Sequence, residues 1–433
     1  MMDILKLLKA EAEQVEVVEM QNEATTVEFE SNKLKTSKVE ETRGVAVRVV
    51  RHGRLGFAAS SDMGAMEKLS ANVLESASYG DKIPLNFPGP RPAARVQTFD
   101  SSVAELPVAR LVEIGREVIE ILLAVEPAAQ INVSLNRGVQ KLGVRTQAGA
   151  NIAFDRSPLS ISVEVNRVEG DDVLITGDYV GTTIWEKDYL QFARRLADKL
   201  RLAKTLTTVR SGNMPVLFSP VGSLALVLPL TEGLNGKNVF KGISPIAQKV
   251  GEKLFDEKLT IVDDATLDGR FGSAPYDDEG VPHQCNRLIE RGALKGFYYD
   301  LKTAAQSGVE STGNGARSLF NPPEPSLTNF IVEPGTQSLE DILAGVDEGI
   351  LVEDLLGLGQ GNILSGAFSN PLSLAFKIEK GEIVGRVKDI SISGNIYELL
   401  QNVAGLSRET QWVYSTFCAP YILLPEINVV GKN

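Results

Sequence analysis

Apolar and polar positions alternate through much of the first half of this chain. Their spacing predicts one helix–strands–helix pattern written twice. The first copy opens on a short helix, where Ile4, Leu7 and Leu8 share a face. Val27 and Phe29 then alternate with Glu28 and Glu30. Val45, Val47 and Val49 alternate with Ala46 and Arg48, again as in a half-buried strand. Arg51-His52-Gly53-Arg54 reads as a turn before a strand from Leu55 to Ala58, and a second helix is expected over about 63–78, ending near Gly80. A proline-rich connector covers 84–92. The second copy starts near Pro107, tolerated in a first helical turn, with Leu111, Ile114, Val118 and Leu122 at helical spacing. Strands are expected over 131–135 and 139–146, and at Ile161, Val163 and Val165. A closing helix over about 186–204 places Leu190, Ala193, Leu196 and Leu200 on one side. The two copies, 1–82 and 100–208, share pattern rather than sequence.

The second half follows another rule. Ser219-Pro220 reads as an N-cap followed by a first-turn proline, and Pro229 should kink or end the helix that carries Leu224, Leu226, Val227 and Leu228. Beyond about Leu259 the chain becomes strand-rich. Leu288–Leu294 and Lys377–Ile383 read as hairpins, each with a glycine where a tight turn needs positive φ. Gly357 to Gly361 suits a loop lying close to other backbone. One helix is expected near Ser338 to Gly349. The fold class is therefore α+β. A duplicated N-terminal domain over 1–208 precedes a largely antiparallel, β-rich C-terminal domain over 209–433.

Length supports this division, since 433 residues exceed what one core usually organises. Apolar residues make up 43% and charged residues 23%, as in an ordinary globular protein. No apolar run reaches the roughly 18 residues of a membrane span. The start, Met-Met-Asp-Ile-Leu-Lys, shows no basic segment leading into an apolar one, so a cytoplasmic location is the expectation. The net charge of −12 argues against direct nucleic-acid binding, which relies on Lys and Arg neutralising phosphates. Two cysteines, Cys285 and Cys418, form no disulfide framework, and His52 and His283 are the only histidines.

Candidate chemistry concentrates between Asp263 and Arg317. Asp263-Asp264, Asp268-Gly269-Arg270, Asp277-Asp278-Glu279-Gly280 and Thr312-Gly313-Asn314-Gly315-Ala316-Arg317 pack acids, glycines and arginines into short turns. The acids could hold a hard cation through oxygen, but their spacing is not that of an EF-hand loop. Turn-forming aspartates bonded to local backbone, with arginines as partners, explain them better. His283, Cys285 and Cys418 are weak metal candidates. His283 and Cys285 would share a strand face, but catalytic zinc usually takes three protein ligands. There is no Gly-x-Ser-x-Gly elbow, and Gly313-Asn314-Gly315 is not followed by the Lys-Ser/Thr of a P-loop.

These turns, with Ser365-Gly366, Ile392-Ser393-Gly394-Asn395, Glu30-Ser31-Asn32-Lys33-Leu34 and Arg43 to Val49, resemble the TldD/PmbA family along nearly the whole chain. Older descriptions call such proteins modulators of DNA gyrase. The resemblance implies proteolysis by a peptidase that a TldD-type and a TldE/PmbA-type subunit assemble. TldD-type subunits carry His-Glu-x-x-x-His on a helix, giving two imidazoles for Zn²⁺ and a carboxylate to activate its water. Gly233-Leu234-Asn235-Gly236 resembles the segment that follows this motif. Counting back places Val227 at the first His, Leu228 at the Glu and Glu232 at the second His. Cys418 stands about where a distant cysteine ligand is expected.

The resemblance therefore implies a TldE/PmbA-type subunit with no cofactor of its own and no catalytic residue in this chain. Zinc is expected in a TldD-type partner. The expected partners are that zinc subunit or a second copy of this chain, as a hetero- or homodimer, together with a peptide substrate and no membrane. Asp263, Asp264, Arg270, Asp277, Asp278, Glu279, Asn314 and Arg317 are the candidate residues for the peptide path or the subunit interface. The strands at Val45 and Ile161 are expected to offer edges for an extended peptide. Two other readings stand beside this one. One is a homodimeric peptide-binding protein without hydrolytic activity. The other is an independent hydrolase with an unrecognised metal site at the Asp-rich block or at His283 and Cys285.

Overall fold

The computed structural model describes residues 4–431. Residues 1–3, on which part of the leader expectation rests, lie outside the described residues. Seven N-terminal strands form one sheet: β1 (Gln14–Glu30), β2 (Lys33–Arg51), β3 (Arg54–Ser60), β4 (Gln130–Thr146), β5 (Asn151–Arg156), β6 (Leu159–Glu169) and β7 (Asp172–Thr182). Their order is β3-β2-β1-β4-β6-β7, with β5 beside β4, and every pairing is antiparallel.

Five helices accompany this sheet: α1 (Ile4–Leu8), α2 (Met66–Tyr79), α3 (Ser101–Ala104), α4 (Val108–Leu123) and α5 (Gln191–Leu202). The element order runs helix, strands, helix, twice. Val45, Val47 and Val49 point to α1 and α2 and are buried with Val15, Val17, Leu69 and Val73. Alternation sends Arg48 to the opposite face with Ala46, because side-chain direction reverses at each residue. That opposite face meets the turn that carries Glu279. The hairpin turn at His52-Gly53 has φ of 52° and 70°, the left-handed pair that a two-residue turn between twisted strands requires.

The C-terminal sheet has twelve strands. They are β8 (Leu206–Thr207), β9 (Gly212–Phe218), β10 (Ile261–Asp264), β11 (Cys285–Glu290), β12 (Ala293–Leu294), β15 (Phe330–Val332), β16 (Glu348–Leu355), β17 (Ala367–Glu379), β18 (Glu382–Val387), β19 (Ile390–Asn395), β20 (Gly405–Val413) and β21 (Phe417–Gly431). β13 (Gly315–Ala316) and β14 (Glu324–Pro325) form a separate small ribbon. Most pairs are antiparallel; β15 with β21, β16 with β9 and β18 with β8 are parallel. Helices α6 (Leu224–Leu234), α7 (Gly236–Phe240), α8 (Leu301–Ser307), α9 (Leu339–Ala344) and α10 (Ile396–Leu399) lie among these strands. The fold is α+β and mostly antiparallel, with a β-rich C-terminal region. Both expected hairpins form, with Arg291-Gly292 and Lys380-Gly381 at positive φ.

Several local expectations change. The helix expected from Ser219-Pro220 starts instead at Leu224; the Ser219 hydroxyl accepts the Gly222 N–H in a tight turn ahead of it. Pro229 lies inside α6 and does not end it. The strands expected at 131–135 and 139–146 are one strand. The strands at Val45 and Ile161 are interior to the sheet there, because β3 covers Val45–Arg51 and β7 covers β6. Free edges lie elsewhere, on β7 and on the part of β2 before Val45. Among the described residues no helix is long and apolar enough to cross a membrane.

Candidate functional site

The first sheet meets the turns of the C-terminal region at a buried ion network. Register places Glu16 of β1 opposite Arg48 of β2. Arg48 Nε and Nη2 donate to the two Glu16 oxygens at 2.7 and 2.6 Å, and its Nη1 donates to Glu279 Oε1 at 2.6 Å. Arg317 Nη2 donates to Glu16 Oε2 at 2.9 Å. Phe87, held by the proline-rich connector, stacks on the Arg48 guanidinium at 4.9 Å. Burial opposes charge on Glu16, but Arg317 and Arg48 outweigh it and hold its pKa below the usual value. Burial likewise opposes charge on Arg48, and Glu16 and Glu279 outweigh it, so the guanidinium stays charged. Glu279 differs. Burial pushes it up to about 7 despite Arg48, because Asp300 and Glu16 add like charge and Glu16 takes the two-pronged bond.

The turns from Asp263 to Arg317 supply the other side of this junction. Asp277 Oδ1 accepts the N–H groups of Glu279 and Val281, and its Oδ2 accepts that of Gly315. Burial, and then the Glu279 charge, raise the Asp277 pKa well above its ordinary value. Asp278 accepts the Arg317 N–H at 2.9 Å. Glu279 Oε2 accepts the N–H of Leu301 at 2.7 Å. Gly315 is required here, because a Cβ on it would lie 2.2 Å from Glu279 Oε2. Deeper, Asp263 accepts from Asn314 Nδ2 and from Thr328 N, both at 2.7 Å. Asp264 closes a local turn on Thr266.

A cleft of about 380 Å³ opens beside this network. Of the residues singled out in the sequence, Asp277, Asp278, Asn314 and Arg317 line it, together with His283. Asp263, Asp264 and Glu279 stand behind the lining. Arg270 lies apart, over the Trp412 ring at 4.7 Å and 3.8 Å from Glu186. Sequence reasoning did not single out Glu16, Arg48 or Arg156 as site residues. Arg48 interrupts an apolar strand, which is the one local signal; Glu16 and Arg156 carry none.

The metal candidates separate. The His283 imidazole faces Gly313, and burial lowers its pKa to about 4. The exposed Cys285 pairs with Asp264 across β11 and β10, and burial raises its pKa. Cys418 is buried on β21, two strands beyond β10, beside Thr410 and Arg270. Three strand spacings, roughly 14 Å, keep the two thiols apart. His283 and Cys285 therefore do not combine with Cys418. Among the described residues no group of three or more His, Cys, Asp or Glu could hold a metal ion.

The helix α6 carries the positions at which two zinc ligands and the water-activating carboxylate are implied. Val227 is 4% exposed, packed in the main C-terminal core. Leu228 lines a second cleft of about 220 Å³, with Leu224 and Pro229, under the glycine-rich loop at 357–360. Glu232 Oε2 accepts from Asn238 Nδ2 at 3.0 Å. Two aliphatic side chains donate nothing to Zn²⁺, and a single carboxylate cannot replace three ligands. These residues do not fit a zinc site.

Residues 211–431 match the model of the PmbA/TldA metallopeptidase C-terminal domain, and residues 15–77 match that of PmbA/TldA metallopeptidase domain 1. The chain is similar to the metalloprotease TldD homolog of Haemophilus influenzae, with 34% identity over 246 residues, 51% of each chain. It thus spans about half the length of the first curated relatives it matches. A metalloprotease of Methanothermobacter thermautotrophicus is 24% identical over 399 residues, covering 89% of this chain and 86% of that protein. The crystal structure of TldE from Thermococcus kodakarensis superposes with a TM-score of 0.90 at 25% identity, covering 99% of both chains. With its C-terminal half matched as one domain and its fold shared from end to end, this chain belongs to the TldD/PmbA family.

Proposed function

We propose that this chain is the TldE/PmbA-type, zinc-free subunit of a two-subunit metallopeptidase that degrades peptides in the cytoplasm. The observation that carries the reading is α6, where Val227 and Leu228 occupy two of the three motif positions. The likeness to TldE supports it. In this reading zinc, its activated water and the hydrolytic step belong to a TldD-type partner. This chain contributes binding surface and holds the partner's site in shape. The junction at Glu16, Arg48, Glu279 and Arg317 locks the two domains together, so that the cleft beside it keeps one geometry.

The test is co-expression with a family member that carries His-Glu-x-x-x-His. A stable complex is expected, with zinc in one subunit only and peptidase activity above that of the zinc subunit alone. Failure to co-purify, together with no gain in activity on mixing, would overturn the reading. A stoichiometric zinc content in this chain alone would favour the independent hydrolase. A stable homodimer that binds peptide without hydrolysis would favour the non-enzymatic alternative.

A further inference from the structure

The junction cleft holds arginine N–H donors that the ion network leaves open. Arg156, at the end of β5, lines the cleft, and its Nη2 donates to the Phe271 carbonyl. Asp278, in the same lining, acts on Arg156 through space without a direct ion pair among the described residues, and the buried Arg156 Nε has no hydrogen-bond partner. Arg317 lines the same cleft with a fully buried side chain; Nη2 bonds Glu16, while Nε and Nη1 have no partner. An orphan Nε recurs at Arg137, Arg167, Arg195 and Arg386, so it says little alone. Arg317 Nη1 is the only orphan Nη among the described residues. The acids in the lining are already engaged. Three backbone N–H groups donate to Asp277, and the Arg317 N–H donates to Asp278.

We infer that this cleft binds the carboxylate of a peptide, with Arg156 as the cationic partner that touches it and the buried Arg317 adding charge from behind. A guanidinium fork matches a carboxylate in geometry, and a largely buried arginine with no direct ion pair gains from a carboxylate that reaches it. Beside the arginines the lining is apolar, from Met20, Leu142, Phe154 and Phe271, which suits the side chain next to that carboxylate. A volume of about 380 Å³ holds a few residues of peptide, not a folded partner. The choice of a peptide over another carboxylic acid rests on the peptidase-subunit reading. The carboxylate could be a chain terminus or an acidic side chain.

Binding of short fluorescent peptides to the full chain, without a zinc subunit, tests this. Three probes share one apolar sequence: a free C-terminus, a C-terminal amide, and an amide with Asp in place of the last residue. The free acid is expected to bind at least ten-fold more tightly than the plain amide if the terminus is recognised. The Asp-amide gains similarly if an acidic side chain suffices. Arg156→Met should remove the discrimination while leaving the thermal midpoint unchanged or higher. Equal binding of the free acid, Asp-amide and plain amide, or no binding of any, overturns the proposal using unaltered protein. So does retained discrimination in a folded Arg156→Met variant. None of these outcomes depends on co-purification with a zinc subunit, so the two readings fail separately.

Discussion

The Arg48 guanidinium and the Glu279 carboxylate, 231 positions apart in the chain, meet at 2.6 Å across the junction between the two sheets. Each is fully buried, and Glu16 completes the arginine's coordination from the neighbouring strand. Arg48→Met would leave Glu16 with Arg317 alone and Glu279 without its arginine, both away from water. Removing one partner of a buried pair typically costs about 3–5 kcal/mol, because the remaining charge has nowhere to go. Urea unfolding should show a loss of that size. A loss below about 1 kcal/mol would mean that water already reaches the junction.

The same junction predicts opposed pH dependences. Glu279 has an ordinary value of 4.5 and a folded value of about 7. Between these the folded state holds a proton that the unfolded chain releases, so stability falls as pH rises through the window and levels off above it. Asp277 and Asp278 are raised as well and act with the same sign. His283 runs the other way. Its value drops from 6.5 to about 4, so the unfolded chain binds the extra proton and stability rises between those values. In the native protein the two slopes offset each other. Relative to the native protein, Glu279→Gln should make the slope of stability between pH 5 and 6.5 more positive, and His283→Gln should make it more negative. Urea midpoints at half-unit intervals of pH measure both. Parallel profiles for the two variants would exclude this assignment.

What the sequence shows and what it hides follows the range of the interaction. Val45, Val47 and Val49 reveal a strand because each faces helices packed on one side of it. The hairpins at Gly292 and Gly381 are legible because positive φ is a local demand. Asn151–Arg156 escaped notice because its six residues alternate only between exposed and half-buried, with no deep core face to mark them. Helix α6 kept Pro229 because burial of Leu226, Val227, Leu230 and Leu234 favours continuing the helix past it. The candidate acids were visible, but their partners were not. Nothing near Glu279 in the sequence points to Arg48, and nothing near Arg317 points to Glu16. Pairings of that separation are set by how two domains stack, which periodicity does not encode.

A second pair ties α5 to the C-terminal sheet away from the cleft. Lys199 of α5 reaches Glu353 of β16 at 2.5 Å, and their side chains are only 17% and 5% exposed. Burial opposes the lysine charge, but Glu353 outweighs it and keeps the ammonium protonated. Asp178 stands close by, with its pKa raised by burial. Lys199→Met alone would leave Glu353 without its counter-ion and should cost about 3–5 kcal/mol. Asp178 adds little to that loss, since its raised pKa lets it take up a proton. Replacing both partners removes the orphan. Lys199→Met with Glu353→Leu should therefore be more stable than the single lysine variant, and close to the native protein. The double-mutant cycle in urea gives the coupling directly. A double variant no more stable than Lys199→Met would show that the pair acts through the wider network of Asp178, Arg195 and Tyr421, not as an isolated bridge.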